Sequence, residues 1–255
     1  MRIVIIGTGN VASVLGRKFL AADHEVIQVC GRNALYAAEL ADSLGATFTS
    51  DITQPDKTGD LYVVAVSDGG IAAVATGLRL DKKLIVHTAG SVSKDILSPC
   101  SKNYGILYPV QSLRREIHIL PDIPFLVDGN TEDDLALITD FACTLSNQVQ
   151  YAGDEQRLKL HVAAVMVSNF TNHLYALAQS YCLKEKADFN MLLPLINAIA
   201  DRLYQYNPAD VQTGPAIRND TATIQKHLEL LQHHGSLQKL YALFTGSIQT
   251  MYKRH

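Results

Sequence analysis

The first cluster of residues suited to chemistry is Gly7-Thr8-Gly9-Asn10-Val11-Ala12, which follows the apolar run Arg2–Ile6 and opens a stretch with helical spacing. Gly-x-Gly-x-x-Ala between a strand and a helix is a dinucleotide fingerprint. Gly7 permits the tight turn, Gly9 lets the backbone approach a pyrophosphate, and Ala12 lets the helix pack closely on the strand. The helix N-terminus supplies N–H donors to the phosphates, so Gly7, Thr8, Gly9, Asn10 and Val11 are the expected pyrophosphate contacts. An NAD-preferring site places an acid about 20 residues further on, to hold the ribose 2′-OH. Here that place holds Cys30-Gly31-Arg32-Asn33, with a base and no acid. Arg32 and Asn33 are suited instead to a 2′-phosphate, through charge-assisted and bidentate hydrogen bonds, and NADP is expected over NAD.

Later strand ends bring a second group of candidates, because ligands of open α/β sheets lie beyond the carboxyl edge. Val66-Ser67-Asp68, His87-Thr88-Ala89-Gly90-Ser91 and Tyr108-Pro109-Val110-Gln111-Ser112 all fall there. Ser67, Asp68, Ala89 and Gly90 are expected against the cofactor, and His87, Ser91, Tyr108 and Gln111 bring donors and acceptors to the same edge. His87 has the side chain whose ordinary pKa suits a general acid, although a His closing a buried strand equally serves as a structural hydrogen bonder. On the apolar stretch Lys159–Tyr181, His161, Val165, Ser168 and Asn172 fall within roughly 60° of one another at α-helical pitch, with Asn169 on the flank. Such polar groups need partners from another helix, a second subunit or a ligand. In Thr213-Gly214-Pro215-Ala216-Ile217-Arg218-Asn219-Asp220, Arg218 is suited either to clamp an anion or to pair with Asp220, and Asp220 to cap a helix from Thr221.

The elements that position these residues follow two periods. Short β-branched runs at Arg2–Ile6, Glu25–Cys30, Thr47–Phe48, Leu61–Val66, Leu84–His87, Ile106–Tyr108, Phe125–Val127 and Val149–Tyr151 read as strands. Helices are expected at Val11–Leu20, at Ala34–Leu44 and from Thr131 to Leu145. From Asp154 on, only helices are read: Glu155–Leu183, Phe189–Tyr206, Thr221–His234 and Leu237–Tyr252. The expected fold is α/β, a Rossmann-like doubly wound and mostly parallel sheet in residues 1–153, followed by a smaller all-α domain in residues 154–255. A cleft between the halves is the expected ligand site. With 47% hydrophobic and 18% charged residues and a formal net charge of -3, the chain reads as globular, with a small-molecule partner and neither nucleic acid nor membrane. Cys30, Cys100, Cys143 and Cys182 lack metal or disulfide spacing, so no metal is expected. Arg2 precedes only four apolar residues before Gly7, unlike a signal peptide, and a cytoplasmic location is expected.

Several segments in this order carry a family resemblance: GTGNVA, Gly31-Arg32-Asn33, Val86 through Ser91, Leu107 through Ser112, His161-Val162-Ala163-Ala164 with Ser168-Asn169, and Thr213-Gly214-Pro215 through Asp220. Over nearly its whole length the chain resembles a family classed as NADP-dependent oxidoreductases, with a Rossmann-like N-terminal domain and a helical C-terminal domain of unassigned function. The first domain is more distantly similar to pyrroline-5-carboxylate reductases and deazaflavin-dependent NADP reductases. The resemblance implies a cofactor domain and a helical, dimerising second domain, and it implies no substrate. Two departures matter. The catalytic Lys that β-hydroxyacid dehydrogenases place four residues before an Asn has no counterpart, because Lys159 is followed at that spacing by Ala163. Where the family more often carries His before the proline, this chain has Tyr108.

The expected activity is hydride transfer between nicotinamide C4 and a small carbonyl or imine between the domains, with His87, Tyr108, Asn169 and Arg218 as catalytic candidates. Ser91, Gln111, His161, Thr213 and Asp220 are the substrate-side candidates, and Arg218 is matched to a small carboxylate. The rival readings are a non-catalytic NADP-binding sensor or regulatory protein, and a reductase whose hydride partner is a deazaflavin or flavin. A homodimer through the helical half is expected.

Overall fold

Runs such as Ile3–Ile6 and Leu61–Val64 are apolar at every position and too short for helices, so both of their faces must be buried, as in a sheet covered by helices on both sides. The computed structural model, which describes residues 1–117, 119–120 and 122–253, places them there. The strands are β1 (Arg2–Ile6), β2 (Glu25–Cys30), β3 (Thr47–Thr49), β4 (Leu61–Val64), β5 (Leu84–His87), β6 (Tyr104–Pro109), β7 (Phe125–Gly129) and β8 (Val149–Tyr151). They form one sheet in the order β3-β2-β1-β4-β5-β6-β7-β8. Every pairing is parallel except β6 with β7. The order reverses between β1 and β4, the switch point at which Rossmann-like sheets receive their ligands.

Alternation along β1 divides the core. Ile3 and Ile5 pack with Leu15 and Phe19 of α1 (Asn10–Ala21), Leu44 of α2 (Ala34–Leu44) and Phe141 of α4 (Glu132–Leu145). Val4 and Ile6 pack on the other face with Tyr62 and with Ile71 and Val74 of α3 (Asp68–Gly77). Each large apolar side chain so buried contributes about 1.5–3 kcal/mol. Thr131 caps α4 by accepting from the Asp134 N–H at 3.1 Å, as its spacing predicts. Helix α3 has no counterpart in the sequence reading.

The chain divides into two compact units, residues 1–169 and 170–255. This places α5 (Asp154–Ala164) in the first unit, beyond the boundary expected near Gly153. Its side chains explain why. Arg157 Nη2 donates to the Val92 carbonyl at 2.5 Å, and Asp154 Oδ1 accepts from the Lys94 N–H at 3.4 Å. The single helix expected over Glu155–Leu183 is continuous but changes pitch: α5 passes into a π-helical segment, Val165–Phe170, and then into α6 (Thr171–Lys184). The second unit also holds α7 (Leu193–Arg202), α8 (Thr221–Leu230) and α9 (Gly235–Met251). Among the described residues no helix is long and apolar enough to cross a membrane.

Candidate functional site

Gly7 sits at φ +132°, a conformation that favours glycine, and donates its N–H to the Cys30 carbonyl at 2.8 Å. A Cβ there would lie 2.1 Å from the Ala65 carbonyl oxygen, so the turn closes only around glycine. At Gly9 the same construction meets nothing within 4 Å, leaving the backbone open to a ligand. Helix α1 begins at Asn10 with no side-chain cap and no acidic residue in its first turn. Its leading N–H groups are therefore available to an anion. These features line a cleft of about 540 Å³, whose wall includes Gly7, Thr8, Gly9, Asn10 and Val11 on one side and Ser67 and Asp68 on another. Arg32 and Asn33 line it at the end of β2, where Arg32 is exposed. The Asn33 side-chain Oδ1 accepts from the Tyr36 N–H to cap α2, which leaves the side-chain NH2 to donate. An open backbone, an uncapped helix start and an exposed guanidinium fit a dinucleotide phosphate chain.

Asp68 ties this cleft to the next loop, because its carboxylate accepts from the Ser91 hydroxyl. Gly90, beside Ser91, is closed in: a Cβ there would lie 2.6 Å from His161 Nδ1 and 3.0 Å from Tyr108 Cε2. Tyr108 Oη and His161 Nδ1 are 2.9 Å apart, with their rings edge to face. Both residues line a smaller cavity of about 320 Å³ with Gln111, Ser112, Ser168 and Asn169. Tyr108 thus meets an imidazole supplied by α5. Burial pushes the Tyr108 phenol above its ordinary pKa, the Asp68 carboxylate adds to the rise, and the Arg157 guanidinium opposes it.

Several expectations need correction. His87 is fully buried, its Nδ1 accepts from the Ala89 N–H at 3.2 Å and its Nε2 lies 3.2 Å from the Ser93 carbonyl. Burial lowers its pKa to about 4, so it is neutral near neutrality with both ring nitrogens engaged, and it has no proton to give a ligand. Ala89 donates its N–H to His87, and Gly90 packs against Tyr108 and His161. Asp220 is a helix cap, accepting from the Thr223 N–H at 3.0 Å and the Thr223 hydroxyl at 2.8 Å, and those bonds lower its pKa. The Arg218 charge adds to that lowering. Arg218 lines a pocket with Asn219, Gln249 and Lys253 that lies wholly within the second unit, and Thr213 is not part of its wall. Of the stripe expected on one helical face, His161, Val165, Ser168 and Asn169 line one cavity, and Asn172 follows the boundary into the second unit.

The sequence reading did not single out Arg157. It is 1% exposed, its Nη2 also bonds Asp154 Oδ1 at 2.7 Å, and its Nε and Nη1 have no hydrogen-bond partner among the described residues. Its position one helical turn before His161 was the available signal.

Residues 2–90 match a family model described as NADP oxidoreductase coenzyme F420-dependent, and residues 123–248 match a domain of unknown function, DUF2520. No curated protein matches the chain. Among solved structures, a "putative NADP oxidoreductase" from Bacteroides fragilis is 36% identical over 98% of both chains, with a TM-score of 0.91. A 1-pyrroline-5-carboxylate reductase from Streptococcus pyogenes is 16% identical over 98% of both chains, with a TM-score of 0.69. An imine reductase from Myxococcus stipitatus in complex with NADP+ is 16% identical over 99% of this chain and 94% of its own, with a TM-score of 0.66. The last two share the fold.

Proposed function

The chain belongs to the NADP oxidoreductase family of the Bacteroides fragilis protein, and from that premise we propose that it prefers NADP(H) to NAD(H) and reduces a small carbonyl or imine. The observation that carries the cofactor preference is the exposed Arg32 guanidinium on the cleft wall, at the strand end where an NAD site would place an acid. The cofactor, when bound, supplies or accepts hydride at nicotinamide C4. The chain's own residues supply position and protons. The glycine turn and the α1 N-terminus hold the pyrophosphate, Arg32 and Asn33 hold the 2′-phosphate, and Ser67 and Asp68 border the path toward Ser91 and the Tyr108 cavity.

Fluorescence titration tests the preference. NADPH should bind at least about tenfold more tightly than NADH, and Arg32→Ala should weaken NADPH by roughly 1.5–3 kcal/mol while leaving NADH nearly unchanged. Equal affinities in the wild type would defeat the reading. Binding without turnover of any carbonyl or imine would instead favour a sensor, and rapid oxidation of bound NADPH by an added flavin would favour the flavin-partnered reductase.

The second unit buries few apolar side chains, and Leu183, Met191, Tyr204, Leu243 and Met251 are 66–91% exposed. So much apolar surface on helices from a single chain calls for a partner surface of the same kind. We assign that role to a second copy, since a homodimer presents the same helices to one another. Light scattering should report about twice the 27.9 kDa chain mass. A stable monomer at micromolar concentration would exclude it.

A further inference from the structure

We propose that Tyr108 is the proton donor of the reduction and that His161 is the relay which reprotonates it, an assignment that rests on the reductase reading above. Three observations converge on the pair. Tyr108 Oη and His161 Nδ1 are in hydrogen-bond contact at 2.9 Å while both side chains line the same cavity. Asp68 of the dinucleotide cleft accepts from Ser91, whose neighbour Gly90 packs against the pair, so a side chain at Gly90 would displace it. His87, the other imidazole at this edge, is closed off by the Ala89 N–H and the Ser93 carbonyl.

Burial and Asp68 hold the Tyr108 phenol above its ordinary pKa, so it keeps its proton until hydride addition creates an alkoxide, a far stronger base than a phenolate. Tyr108 is 8% exposed, and a phenol so buried is a weak acid unless a positive charge offsets the loss of water. Arg157 supplies that charge from the same helix as His161. Among the described residues its one carboxylate partner is Asp154, which is partly exposed, and its Nε and Nη1 have no hydrogen-bond partner, so its field is only partly cancelled. Asp68 is the opposing charge, and its carboxylate is engaged by Ser91. Arg157 therefore acts as a positioning residue, favouring the tyrosinate that exists between donation and reprotonation.

The step balances as follows. Hydride from the reduced nicotinamide brings its electron pair to the carbon of a C=O group and forms the C–H bond. The π pair moves to oxygen and takes the phenol proton of Tyr108, so the substrate is reduced to an alcohol and the cofactor oxidised. Tyr108 then recovers a proton from Nδ1 of His161, which is resupplied from solvent at Nε2. The hydrogen bond serves both ends of the relay, with Oη donating to a neutral ring or Nδ1–H donating to the oxygen.

The test compares two probes on the full chain with NADPH. Cyclohexanone needs a proton on reduction, whereas N-methyl-1-pyrrolinium accepts hydride and needs none. In Tyr108→Phe, turnover of the ketone should fall at least about 100-fold, and turnover of the iminium no more than about threefold. His161→Asn should lower the ketone rate alone, and Gly90→Ala should behave like it. An independent readout comes from ¹⁵N NMR of the His161 ring without cofactor: the tautomer balance should differ between wild type and Tyr108→Phe, because the Tyr108 hydroxyl contacts Nδ1. If the wild type reduces both probes and Tyr108→Phe lowers them equally, the reductase reading stands and the donor assignment is overturned. Identical ring nitrogen shifts in wild type and Tyr108→Phe would overturn the pairing. If the wild type reduces neither probe while the tautomer still responds, the reductase reading fails, and the donor assignment with it.

Discussion

Gly7→Ala is expected to destabilise the fold by about 3 kcal/mol or more and to lower NADPH affinity at least about 100-fold, because two independent penalties fall on one methyl group. The first is conformational: at φ +132° an L-residue is strained whatever surrounds it. The second is steric, since the new Cβ would lie 2.1 Å from the Ala65 carbonyl oxygen and 2.6 Å from its carbon. That neighbour is backbone, and the Ala65 N–H is itself bonded to the Ile6 carbonyl at 2.8 Å, so relief requires β1 and β4 to part at the switch point. Gly9→Ala provides the control. Its Cβ meets nothing within 4 Å of protein, so its melting temperature should match the wild type while NADPH binding weakens, because the methyl group occupies the approach of the pyrophosphate. Thermal unfolding by circular dichroism, run beside a fluorescence titration, separates the two variants. A Gly7→Ala protein that melts with the wild type would show that the turn does not depend on glycine.

The parts of this molecule legible in the sequence are those whose determinants are local. β1, β2 and β5 fall where their β-branched runs stand, since a strand largely buried on both faces is written residue by residue in its own segment. The glycine turn is legible for the same reason. Helix α3 was missed because it opens on Asp68-Gly69-Gly70, which reads as a turn, and is held by Ile71, Val74 and Ala75 packing on the sheet. The π-segment was missed because its i→i+5 bonds leave no mark in a 3.6-residue period.

The candidate site divides along the same line. The residues of the dinucleotide cleft are close in sequence or sit at strand ends, and topology alone gathers them. Tyr108 and His161 were each noticed, but their contact joins β6 to a helix 53 positions away, and no local pattern encodes it. The converse error was His87. Its place at a strand end suggested chemistry, while the groups that neutralise it, a backbone N–H and a carbonyl, carry no side-chain signature. Cys30 is a buried thiol pushed up to about 12 by burial, with Asp51 and Asp56 adding to the rise.

The neutral, buried His87 makes stability depend on pH in a definite window. In the unfolded chain its ring titrates near the ordinary histidine value of 6.5, whereas in the fold burial lowers the pKa to about 4. Between those values the unfolded state binds more protons than the native state, so stability is complete above about pH 6.5, declines as pH falls toward 4, and loses nothing further from this group below that. A shift of this size corresponds to about 3 kcal/mol. The charges facing the ring do not reverse the sign: Arg157 opposes protonation, Asp154 and Asp68 favour it, and burial outweighs them all. Carboxylates with lowered pKa, such as Asp56 and Asp154, lose their contribution only below the ordinary carboxylate range, so they act outside this window. His24, whose pKa is also lowered, by partial burial and then by the N-terminal charge, acts inside it, and a mutant comparison is therefore required. His87→Gln retains an amide that can donate to the Ser93 carbonyl and cannot be protonated, so its stability near neutrality should fall by about 1 kcal/mol while most of the acid slope disappears. Urea unfolding of both proteins at several pH values between about 7 and 4.5 provides the measurement, and parallel curves would show that His87 is not the group responsible.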